Sequence, residues 1–255
     1  MSFYDLTKEQ RIERVEQINN DILSDLKKNT RTKVVEYFSD EDTYIRKSAY
    51  LAIGKIYNGN KDLQKKIITL LDKLLAEKEF KIRQTVINSA GEIGIKEFER
   101  VESFFDKGLF DEHHSIRNAV IGSVKKMGEK NPKPVLKWAK KYLHHTDKEV
   151  RREICHGIEL RGRKFPQDIL PMLKELQHDT TARVHNTLIH VLGQIAYKKG
   201  CLETVIPHLN NWINKELTDK AVEEIIDVHD RYKNFSVLTQ AQAIAYIDKY
   251  YKNKK

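Results

Sequence analysis

The amino-acid sequence predicts an all-α fold, an α-solenoid (superhelix) of about six helix pairs behind an N-terminal capping helix. Three observations carry that prediction. An apolar residue followed by a polar one recurs at Ile45-Arg46, Ile82-Arg83, Ile116-Arg117, Val150-Arg151, Val184-His185 and Val222-Glu223, spaced 37, 34, 34, 34 and 38 residues apart. Apolar residues follow the first five anchors four and eight positions on, as Ala49/Ile53, Val86/Ala90, Val120/Val124, Ile154/Ile158 and Leu188/Leu192. At about 100° per residue these fall on one helical stripe. Five Pro and eleven Gly in 255 residues leave little material for turn-rich β architecture.

Taken in order, Thr7 and Gln10 form a capping box that opens a leading helix over Lys8–Lys28. Each repeated helix is then announced three residues before its anchor by Asp42, Glu79, His113, Asp147, Thr181 and Asp219. Side-chain acceptors at such a position satisfy the open amides of a first helical turn. A second apolar helix precedes these, for example Leu63–Leu75, Pro134–Leu143 and Ile169–Leu176. The fourth repeat departs from the pattern with Arg161 at its eleventh position, so its helix is expected to end early with Gly162 as the C-terminal cap. The chain divides on this reading into a capping helix (1–35), a repeat array (36–235) and a C-terminal capping helix with a basic tail (236–255).

Composition narrows the function. The net charge is +9. Of it, +8 lies between Lys125 and Lys164, and +3 in the tail Lys252–Lys255. Such a block fits a polyanion such as a phosphate backbone, or else a lysine-rich solvated face. No apolar run reaches membrane-spanning length, and the first 28 residues carry charge throughout, so a cytoplasmic chain that does not enter the membrane is expected. Cys155 and Cys201 are too few for a disulfide scaffold or zinc cage, and are expected to be small buried residues. Phosphate loops, nucleophile elbows and His-Glu-x-x-His helices are absent. The paired histidines His113-His114 and His144-His145 point about 100° apart on a helix, so no metal site and no cofactor are expected.

Positions two, six and nine after each anchor face away from the apolar stripe. They read Lys47/Leu51/Gly54, Gln84/Asn88/Gly91, Asn118/Gly122/Lys125, Arg152/His156/Glu159 and Asn186/His190/Gly193. Asn, His and Gly recur there at a cost in helix propensity, as expected of a ligand-facing groove. The candidate binding residues are therefore Lys47, Gln84, Asn88, Asn118, Lys125, Arg152, His156, Asn186 and His190, with Arg161, Arg163 and Lys164 as a phosphate clamp at a helix end.

The recurring acid, Ile/Val-Arg, then Ala or Val, then Gly-x-Ile (Asp42-Thr43-Tyr44-Ile45-Arg46 through Gly54-Lys55-Ile56 is one copy) resembles the HEAT-repeat family over roughly residues 36–230. That resemblance implies a structural ladder for Arg46, Arg83 and Arg117, and a concave surface lined by the second helix of each pair. From Lys137 to Trp212 the chain further resembles the helical-repeat alkylpurine DNA glycosylases, nearer the AlkC branch than the AlkD branch. The residues that carry it are Trp138, Asp147, Val150-Arg151-Arg152, Gly157, Asp179, Arg183-Val184, Leu192, Ile195-Ala196 and Trp212. It implies duplex DNA held on a basic concave face, and cationic alkylated bases removed with the help of a carboxylate. At the two places where that branch carries acids, this chain has His156 and Gly193-Gln194, and the Trp of its Arg-Pro-rich turn is missing from Arg161–Pro166. The expectation is a monomeric DNA-binding repeat protein with weak or absent base excision. The alternatives are a protein–protein scaffold taking an acidic peptide or partner helix, and an active glycosylase whose acid is Glu159 or Asp179.

Overall fold

The computed structural model describes residues 3–252, so residues 253–255 of the basic tail lie outside the described residues. Fifteen α-helices and no strand occur among the described residues. They belong to two compact units, Met1–Asn131 and Pro132–Lys255. The chain is an all-α helical repeat.

In the first unit, α1 (Lys8–Lys28), α3 (Thr43–Gly59), α5 (Phe80–Glu97) and α7 (His114–Lys130) form one row, each beside the next. Helices α2 (Thr32–Ser39), α4 (Lys61–Leu75) and α6 (Glu102–Gly108) pack against that row. The core between them holds Tyr37, Phe38, Tyr57, Phe98, Phe104 and Phe105. In the second unit the row is α9 (Lys148–Gly157), α12 (Ala182–Ala196) and α14 (Lys215–Arg231). Around it lie α8 (Pro132–Tyr142), α10 (Glu159–Gly162), α11 (Leu170–Glu175), α13 (Leu202–Leu209) and α15 (Gln240–Tyr250). Trp138 and Trp212 are each 1% exposed, which makes them core residues rather than base-stacking platforms.

Local chemistry sets the helix starts. Thr7 and Gln10 form the expected capping box, and α1 runs over the expected residues. The side chains of Asp42, Glu79, His113 and Asp147 each accept from the amide two residues on. Two expected caps differ. The Thr181 side chain makes no cap bond and its hydroxyl donates to Asp179 instead. Asp219 lies inside α14, whose start is capped by Asn214 through the Leu217 amide at 3.0 Å. The sixth copy begins early because an asparagine five residues upstream already satisfies the first turn.

The arginine after each of the first four anchors ties its repeat together. Arg46 donates to the carbonyls of Asp40 and Glu41, Arg83 to those of Glu77 and Lys78, Arg117 to those of Asp111 and Glu112, and Arg151 to those of His145 and Thr146. The guanidinium thus closes the turn that leads into its own helix, the carbonyls of which would otherwise lack donors. Arg83 and Arg151 also reach 28 residues forward, to Asp111 (2.8 and 3.1 Å) and Asp179 (2.5 and 3.2 Å). Of the three arginines expected to form a ladder, Arg83 makes such a forward link, and Arg151 makes the equivalent one in the fourth repeat.

The fourth repeat breaks sooner than expected. Helix α9 stops at Gly157, Ile158 takes a capping conformation, and a one-turn helix α10 resumes at Glu159. Gly162 is not a left-handed cap, since positive φ is confined to Asn29 and Gly200 among the described residues. A side chain at Gly162 would collide with Ile169 and Ile195, so close packing explains this glycine.

Candidate functional site

The outward-facing positions do different jobs in different repeats. In the first unit Lys47 and Asn118 are exposed, and Gln84, Asn88 and Lys125 are half-buried. Gln84 donates to the Ser115 carbonyl at 3.4 Å, which ties α5 to α7. The ninth-position glycines do not open a surface to a ligand. A Cβ at Gly54, Gly91 or Gly193 would stand 2.5, 2.6 and 2.7 Å from Glu92, Ser123 and Glu224, so these glycines let neighbouring helices of the row approach. Gly122 alone of this group has nothing within 4 Å.

In the second unit three predicted residues converge. His156 and His190 occupy the sixth position of consecutive repeats, 34 residues apart, so stacking the repeats brings their rings edge-to-face at 6.0 Å. Glu159, at the ninth position like the buried Gly54, Gly91 and Gly193, faces the neighbouring helix of the row and is 1% exposed. Its Oε2 lies 3.1 Å from His156 Nε2, and its Oε1 accepts from Arg163. The same Arg163 Nη2 donates to Gln194 Oε1 at 2.8 Å. One ligand atom each of His156, Glu159 and His190 falls within 4.8 Å of the others. Behind His190, Glu224 Oε1 is 4.0 Å from Nδ1 and is itself held by Arg231 at 2.8 Å. Two buried donors of this cluster, Arg163 Nε and Gln194 Nε2, have no hydrogen-bond acceptor.

The other predicted groups are engaged internally. Arg152 pairs with Glu149 at 2.9 Å and Glu153 at 3.4 Å, and Arg161 pairs with Asp168 at 2.5 Å while covering the Phe165 ring at 3.8 Å. Lys164 and Asn186 are exposed. Asp179 is the forward partner of Arg151. Burial alone would raise its carboxyl, but hydrogen bonds from Arg151 and Thr181 outweigh that and hold it at about 2. A carboxylate so committed is a poor proton donor or acceptor near neutrality. Four further exposed lysines of the basic block, Lys133, Lys137, Lys140 and Lys141, lie on α8. Their spacing of four, three and one places them on one side of that helix.

Sequence reasoning missed a second feature, in the first unit. Ile12 and Val15 of α1 are 59% and 42% exposed, and Leu51 of α3 is 40% exposed. They line a groove of about 580 Å³ with Ala52, Asn19 and Lys55, and the buried Oδ1 of Asn19 has no hydrogen-bond partner. An adjoining hollow shares Ile12 and Val15 and adds Lys8 and Arg11. The signal is masked in sequence, because Val15 continues the Ile18, Ile22, Leu26 stripe that α1 buries and Ile12 lies just beside it, so both read as core.

No protein-family model matches the chain, and no curated protein does. Among solved structures it is similar to YibA of E. coli, at 15% identity and a TM-score of 0.45 over 90% of this chain and 96% of that one. It is also similar to a designed armadillo repeat protein in complex with the peptide (KR)4, at 17% identity and a TM-score of 0.37 over 76% of this chain and 97% of that one. An engineered protein gives 17% identity and a TM-score of 0.36 over 77% and 97%.

Proposed function

We propose that the protein is a helical-repeat interaction module that docks an acidic, amphipathic segment of a partner protein along the α1–α3 face. The observation that carries this reading is the exposed aliphatic trio Ile12, Val15 and Leu51 around the unpartnered Asn19 carbonyl oxygen. Three aliphatic side chains on one groove supply an apolar floor, and a buried acceptor without a donor calls for an N–H from an occupant. The rim sets the sign of the partner. Lys8, Arg11 and Lys55 line the two hollows against the single acid Glu16, and Lys47 stands one turn before Leu51 on α3. A helix with a leucine stripe and acidic flanks complements both features.

The test is fluorescence anisotropy with two labelled synthetic peptides that share a leucine stripe, one flanked by Glu and one by Lys. The Glu-flanked peptide is expected to bind, and Ile12→Asp or Leu51→Asp to weaken it at least tenfold, about 1.4 kcal/mol. Both side chains are exposed, so the variants should keep the wild-type melting temperature. Equal binding of the two peptides, or none, would overturn this reading.

A second reading, binding of duplex DNA, is favoured by the lysine row of α8. It predicts an affinity for a short duplex that falls steeply with salt, and that falls again when Lys133 and Lys137 are both replaced by Ala. Duplex binding that is insensitive to salt and to those two lysines would remove it.

A further inference from the structure

Independently of what the first unit docks, we propose that the second unit binds a divalent transition-metal ion of the Zn²⁺ type through His156, Glu159 and His190. Two imidazoles and one carboxylate form a borderline donor set suited to such an ion, and three protein ligands leave one coordination position open. His156 Nε2 and Glu159 Oε2 are 3.1 Å apart. Two ligands on a tetrahedral ion with bonds of about 2.0–2.1 Å stand about 3.3 Å apart. The third ligand atom lies within 4.8 Å of both, and its ring is half-exposed, so a small rotation of His190 closes the triangle.

The surroundings hold the ligands as metal sites hold theirs. Arg163 grips Glu159 by Oε1, while Oε2 is the oxygen turned to His156 Nε2. Glu224 lies on the Nδ1 side of His190 at 4.0 Å, close enough to favour a positively charged centre beside the ring. The two unsatisfied donors beside the carboxylate, Arg163 Nε and Gln194 Nε2, are nine-tenths buried in the case of Gln194 (4% exposed) and lack any acceptor. A water or anion oxygen on the open coordination position supplies one. The guanidinium of Arg163 offsets part of the Glu159 charge, as that of Arg231 offsets Glu224.

The experiment is titration of the metal-free full chain with Zn²⁺ by calorimetry, and with Co²⁺ by visible absorption. One equivalent is expected to bind, and Co²⁺ should give the intense d–d bands of a four-coordinate ion. His156→Ala and His190→Ala should each weaken binding at least about tenfold, since losing a ligand costs no less than losing an outer-shell partner. Both exchange partly exposed side chains, and circular-dichroism melting checks that they fold. His144→Ala is the control, because His144 belongs to a separate surface pair with Glu175 at 2.7 Å and its loss should leave the affinity unchanged. Absence of stoichiometric binding by the wild type would overturn the assignment, as would binding that survives both His156→Ala and His190→Ala.

Discussion

Replacing Asp179 by Asn removes the charge from the Arg151 pair while keeping the side chain's shape. Thr181 can still donate to Oδ1, but the new amide sets its NH2 against the guanidinium nitrogens that now sit 2.5 and 3.2 Å from the carboxylate. The Asp179 side chain is 4% exposed, so water screens little of the lost interaction. Its carboxyl is held at about 2 against an ordinary 3.8, a depression worth about 2.5 kcal/mol at neutral pH at 1.36 kcal/mol per unit. The folded-state value lies below the unfolded one, so this stability is fully present above the unfolded value and is lost as pH falls through the folded one. Linkage predicts about half of it at pH 3 and little at pH 2. Urea unfolding of wild type and Asp179→Asn at pH 7, 4, 3 and 2 measures it. A penalty near 2.5 kcal/mol that shrinks over that range is expected. A negligible penalty at pH 7, or one that does not change with pH, would refute the view that Asp179 is a structural acid serving Arg151.

Three further outcomes follow from packing. Gly193→Ala should cost about 1–3 kcal/mol in chemical denaturation, because the new Cβ would meet Glu224 and Val228 at 2.7 and 2.9 Å. Gly122→Ala should gain up to about 1 kcal/mol from helix propensity, since nothing lies within 4 Å of its Cβ. Trp212→Ala should cost about 3–5 kcal/mol, from the loss of a side chain that is 1% exposed and whose indole donates to His208 at 2.9 Å. Neither thiol should react with a disulfide reagent before unfolding, because burial pushes Cys201 up to about 11 and Cys155 higher still.

The row of repeated helices is legible in the sequence because its signals are local. Caps lie within a few residues of the amides they satisfy, and the Ile/Val stripe is read one helix at a time, so the ends of α1 and the starts of α3, α5, α7 and α9 follow from neighbours in sequence. What crosses between helices is harder to read. Gly54, Gly91 and Gly193 look like openings until the adjacent helix places Glu92, Ser123 and Glu224 against them. Arg152, Arg161 and Arg163 look like free cations until their carboxylates are in place. His156 and His190 could have been paired from sequence, since equal positions in consecutive repeats become neighbours. The burial of Glu159 is not visible from its own helix, because position nine faces away from the apolar stripe and only the next helix of the row covers it, as at Gly54, Gly91 and Gly193.

The sharing of this cluster between consecutive repeats bears on how such a site could arise. A repeat array grows by copying a unit, and each copy inherits what lies inside it: a cap, an apolar stripe, an arginine that closes its own turn. The His156, Glu159 and His190 group is divided between two copies, with two of its members in one repeat and the third in the next. Duplicating a single repeat would propagate the scaffold and leave this group behind. It belongs to the history of this pair of repeats after they parted from the common pattern.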